Sequence, residues 1–102
     1  MALNPIIDAR DVRFILFEML QVDKLNKYEA FADFDKDTFE EVLTLAEKIA
    51  VDKVYPVNQE ADKQHAQYIP ATKEVLIPEG FKAGLDAYYE AGFIGIATEA
   101  DW

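Results

Sequence analysis

Cysteine is absent, and with it go disulfides, thiolate metal sites and a cysteine nucleophile. Histidine occurs once, at His65, with only Glu60 and Asp62 near it in sequence, so a zinc site lacks ligands and His65 reads as a surface or loop residue. Glycine and proline number four each. No apolar run approaches the ~20 residues that a membrane-crossing helix needs. Bases are scarce as well: ten against twenty acids leave a net charge of −10. A nucleic-acid duplex or an anionic membrane surface would repel such a chain, so neither is expected as a partner. The opening, Met1-Ala2-Leu3-Asn4-Pro5-Ile6-Ile7-Asp8, has neither the basic start and apolar stretch of a secretory signal nor the arginines of a transit peptide. These absences lead to the expectation of an acidic, soluble, cytoplasmic chain of one domain.

What is present is apolar material, 51% of 102 residues, enough to offset the entropy of ordering a small domain. It is arranged mostly at helical spacing. After Pro5, the residues Val12, Ile15, Leu16, Met19 and Leu20 mark one helix face, with Asp8 as N-cap and Asp11 imitating a capping box. Phe14 and Phe17 fall outside that stripe, so this helix is apolar on more than one side and needs a neighbour. A second helix opens with Asp37 and Glu40 in capping-box spacing and continues along Phe39, Val42, Leu43, Ala46, Ile49, Ala50 and Val54. Pro56 either ends it near Val54 or kinks it and lets it run on. Residues 67–77 lose the pattern and read as an irregular or β-like connection. A third helix is expected to start at Pro78, with Glu79 in its first turn, Phe81, Leu85 and Tyr88 on one face, and Gly92 at its stop. Gly80 and Gly84 weaken that helix by ~1 kcal/mol each unless a neighbour requires close approach. The fold expected is all-α, a small bundle of three to four helices.

Chemistry-bearing patterns are few. Asp33, Asp35 and Asp37 alternate like the first ligands of a calcium loop, but Thr38 and Thr44 stand where that loop needs glycine and a bidentate glutamate. A solvated acidic turn before a capped helix is the better reading. Adjacent acids such as Glu40 and Glu41 do not face a common point on a helix. Gly92-Phe93-Ile94-Gly95 lacks the glycine spacing of a dinucleotide or phosphate loop. No catalytic, cofactor or metal residue is assigned.

The order of the pieces nevertheless resembles a known family. Asp11-Val12-Arg13-Phe14-Ile15-Leu16-Phe17-Glu18-Met19-Leu20 is similar to the opening helix of a bacterial branch of the acyl-CoA dehydrogenases, with its Arg-Phe-x-Leu-x-Glu core. Residues 35–54 resemble the acidic-capped helix that follows, and Tyr55-Pro56-Val57-Asn58 the Pro-x-Asn after it. Val75-Leu76-Ile77-Pro78-Glu79-Gly80-Phe81-Lys82 resembles Val-x-x-Pro-x-Gly-Phe-Lys, and Glu90-Ala91-Gly92-Phe93-Ile94-Gly95-Ile96 resembles Glu-Ala-Gly-Trp-x-Gly-Leu. Two departures are visible: Phe93 replaces a tryptophan, and Ala61-Asp62-Lys63-Gln64-His65 keeps only the acid of a Gly-Asp-x-x-Gly turn.

The resemblance implies that residues 1–102 are part of the N-terminal α-domain of a FAD-dependent enzyme, cut before its flavin-binding β domain. The parent would convert an acyl-CoA thioester to enoyl-CoA, a glutamate taking the α-proton and flavin the β-hydride. Its flavin contacts and catalytic glutamate lie outside the matching stretch, so the chain by itself is expected to be non-catalytic and to bind no cofactor. Its partners would be the remaining domains or subunits of a homo-oligomeric parent, and acyl-CoA only in the whole enzyme. The candidate interface is Phe14, Phe17, Phe93, Ile94, Ile96 and Trp102, apolar residues that three helices cannot all cover. The alternative is a free-standing acidic helical protein–protein interaction module.

Overall fold

The computed structural model describes residues 4–98, so Trp102 lies outside the described residues. The chain is mostly helical, as expected: among the described residues it forms four α-helices and one two-stranded antiparallel sheet. It divides into two compact units at the junction of Lys48 and Ile49.

In the first unit, α1 (Ala9–Arg13) is capped by Asp8, whose carboxylate accepts the Arg10 amide at 2.9 Å. A π-helical turn, Phe14–Met19, follows directly and closes with the Leu20 amide on the Ile15 carbonyl. This turn corrects the expected stripe. A hydrogen bond reaching back five residues fits one extra residue into the turn, so side chains beyond it rotate away from the 3.6-residue face. Val12, Leu16 and Phe17 are half-buried, whereas Phe14, Ile15, Met19 and Leu20 are exposed. Gln21, with φ of 53°, stops the run, and short 3-10 turns at Val22–Lys27 and Glu29–Phe31 lead on to α2 (Lys36–Ile49). The stripe of α2 holds as expected through Phe39, Val42, Leu43, Ala46, Ile49 and Ala50, all half-buried. Its cap does not. The first helical amide bond runs from Phe39 to the Asp35 carbonyl, which makes Asp35 the N-cap and places Asp37 inside the first turn.

The second unit begins with another π-helical turn, Ala50–Val54, and α3 (Tyr55–Gln64). Of the two outcomes open at Pro56, the helix runs on. Proline has no amide to give and its ring crowds the carbonyl four residues back. Here the Tyr55 amide reaches back five residues to the Ala50 carbonyl, and the π turn accommodates Pro56 at the start of α3. The widened turn also explains why Val54, the last member of the expected stripe, is 47% exposed.

Three backbone positions then shape the rest of this unit. His65 ends α3 at φ 58° and ψ 172°, a region open almost only to glycine. It stands at the second glycine of the Gly-Asp-x-x-Gly pattern, and its dihedrals give the physical reason for a glycine there. Beyond it, residues 67–77 contain a hairpin of β1 (Gln67–Ile69) and β2 (Glu74–Leu76), with Tyr68 opposite Val75. α4 (Phe81–Glu90) starts three residues later than the expected Pro78, because Gly80 adopts φ 86° and breaks the helical path. A β-carbon on Gly80 would lie 2.7 Å from Val57 Cγ1. Gly84 meets the expectation of close approach: a β-carbon there would sit 3.3 Å from the Lys53 carbonyl oxygen and 3.6 Å from Val54 Cγ2. α4 therefore rests with its glycine against the π turn. Gly92, at φ 80°, supplies the expected left-handed stop before the 3-10 turn Phe93–Gly95. Among the described residues no helix is long and apolar enough to cross a membrane.

Two predictions follow from these contacts. Gly84→Leu should destabilise the chain by ~1–3 kcal/mol, the usual penalty for overpacking. Gly84→Ala should stay near neutral, since ~1 kcal/mol of helix propensity offsets a tight but tolerable contact; a urea melt in which leucine is tolerated as well as alanine would refute the close packing. His65→Gly should raise stability by ~1 kcal/mol through release of backbone strain, and a loss of stability in the same melt would show that His65 is not strained.

Candidate functional site

In the first unit the polar groups build a clip. Arg13 Nε donates to Glu40 Oε2 at 2.9 Å, and Arg13 Nη1 donates to the Ala9 carbonyl at 3.2 Å while standing 3.8 Å from Glu47 Oε2. Asn4 Nδ2 donates to Glu47 Oε1 at 3.1 Å. The guanidinium thus ties α1 to α2, and Glu40 and Glu47, which face it, are half-buried while Glu41 and Lys48 are exposed. Partly exposed ion pairs of this kind contribute on the order of 0.2–1 kcal/mol each, so the clip sets geometry more than stability. Sequence reasoning missed this role; the available signal was an arginine directly preceding the apolar run Phe14-Ile15-Leu16-Phe17.

The expected interface residues divide by surroundings. Phe14 is 44% exposed. Phe17 is half-buried, with the Lys36 ammonium 5.2 Å from its ring centroid, a favourable cation–π placement. In the second unit Phe93 is half-buried against Tyr88, ring centroids 5.9 Å apart, and its carbonyl accepts the Tyr88 hydroxyl at 3.2 Å. Ile94 and Ile96 are exposed by 65% and 61%. More telling is what surrounds them. Among the described residues Gly84 alone is buried, and no hydrophobic side chain is. The apolar half of this sequence is organised into faces without being closed into a core.

Two concave surfaces, one in each unit, differ in character. An open trough on α2 is lined by Asp37, Glu40, Glu41, Thr44, Leu45 and Lys48. A groove along α3 and α4 encloses about 240 Å³ and is walled by Val54, Val57, Ala61, Phe81, Leu85 and Tyr88, with Lys53 and Asn58 as its polar members. Of the acids expected to form a turn, Asp35 is committed to the helix cap: its Oδ1 accepts from both the Thr38 amide and the Thr38 hydroxyl at 2.8 Å. Those donors hold its carboxyl below the ordinary value of 3.8. Among the described residues no three acidic or histidine side chains converge as a metal site would require.

No family profile matches the chain, and no solved structure does. Curated sequences do. The broad-specificity linear acyl-CoA dehydrogenase FadE5 of Mycobacterium tuberculosis is 36% identical over 86 residues, covering 84% of this chain and 14% of its own length. A butyryl-CoA dehydrogenase of Syntrophomonas wolfei is 31% identical over 91 residues, covering 87% of this chain and 15% of the relative. A second butyryl-CoA dehydrogenase from the same organism is 29% identical over 91 residues. The chain belongs to the acyl-CoA dehydrogenase family. It spans only 14–15% of the length of these relatives.

The residues that resemble acyl-CoA dehydrogenase motifs carry structure in this chain. Arg13 makes the clip, Pro56 follows the π turn, and Gly80 and Gly92 take left-handed dihedrals at either end of α4. Neither of these two depressions suits FAD, the cofactor the family implies. The groove of about 240 Å³ is smaller than the ~300–1,000 Å³ of ordinary ligand pockets. The other depression presents three carboxylates, which would repel a pyrophosphate.

Asp35 provides the test of the local electrostatics. Asp35→Ala should lower the urea midpoint more than Asp37→Ala, because only Asp35 receives the orphan amide. A carboxyl with a depressed folded pKa contributes stability that is present above its unfolded value of 3.8 and is lost as pH falls through the lower folded value. The gap between wild type and Asp35→Ala should therefore be full at neutral pH and close below that value. A larger effect from Asp37→Ala would return the cap to Asp37.

Proposed function

We propose that residues 1–102 form part of the N-terminal α-domain of a FAD-dependent acyl-CoA dehydrogenase, and that their role is to pack on the remaining domains and contribute subunit contacts. The observation that carries this reading is an apolar half of the sequence set out on helical faces, with no hydrophobic side chain buried among the described residues. Soluble monomers rarely leave apolar patches beyond a few hundred Å² uncovered. The relatives supply the other support, since their matched stretch is a small part of much longer enzymes. In this reading the α,β-dehydrogenation of an acyl-CoA thioester to enoyl-CoA belongs to the whole enzyme, in the cytoplasm. In it flavin and the catalytic base come from domains outside the matched stretch, and residues 1–102 are themselves non-catalytic. Of the candidate interface residues, Phe14 in the first unit and Ile94 and Ile96 in the second are exposed, while Phe17 and Phe93 are half-buried.

Self-association is the accessible test. An isolated chain with this surface should form oligomers, a symmetric dimer being the commonest closed arrangement. A net charge of −10 opposes association at low salt, so the mass seen by light scattering should rise both with protein concentration and toward ~1 M salt, where the Debye length is ~3 Å. A Phe14→Ser, Ile94→Ser variant should associate less. A parent chain that stays monomeric at several hundred micromolar in high salt would contradict the packing role.

A further inference from the structure

We draw no further inference here: the strongest candidate, the apolar groove along α3 and α4 walled by Val54, Val57, Ala61, Phe81, Leu85 and Tyr88, is an unpartnered apolar face, and nothing in the structure shows what covers it.

Discussion

The close approach of Gly84 to the Lys53 carbonyl is the contact on which the second unit depends. It joins two sequence features that look unrelated in one dimension. Pro56 cannot donate to the helix and crowds the carbonyl behind it, and the chain answers with a π turn over Ala50–Val54. α4 then lies against that turn at the one residue that has no side chain. The same pairing recurs one turn earlier, where Gly80 lies under Val57 at a distance that a β-carbon could not share. Two glycines spaced four apart thus set both the start of α4 and its seat. The helix-weakening effect of Gly84, ~1 kcal/mol, is the counterpart of that contact.

The first unit solves a similar problem with charge. Its opening helix is too apolar to be solvated on all sides and too irregular to present a single stripe, since the π turn at Phe14–Met19 divides its faces. Arg13 fixes it to α2 through Glu40 and Glu47. Both units leave ordered apolar faces exposed, and helices held in register by a clip or a glycine seat present those faces ready-formed. Such preorganisation reduces the ordering entropy that remains when a neighbour is added.

Much of this was legible in the residues. The stripe of α2 obeys a 3.6-residue period and was read correctly through Ala50, while Gly92 and the need for close approach at Gly84 followed from the same helical logic. Failures occurred where the period itself changed. The 3.6-residue period puts Ile15, Met19 and Leu20 on one face with Val12 and Leu16, and Val54 on the stripe of α2, because a π turn leaves no mark in a hydrophobic pattern. The α2 cap slipped by two residues because Asp35 and Asp37 both offer a carboxylate, and only the bonds to Thr38 distinguish them. Pro78 has the residue type of a helix start, but the left-handed Gly80 delays α4 to Phe81. The family was legible from motif order, which the curated relatives support, whereas Arg13 and the strained His65 are tertiary and backbone facts that spacing does not encode.

The central claim is that the apolar faces of this chain are completed by the rest of an acyl-CoA dehydrogenase polypeptide. Amide hydrogen exchange addresses it most directly, measured on residues 1–102 alone and on the same residues within the longer polypeptide. Measurable but modest protection across α2 and α4 is expected in the isolated chain under conditions where it does not associate, rising by an order of magnitude or more in the longer protein. Equal and strong protection in both would contradict it, because the chain would then be stable without a covering partner.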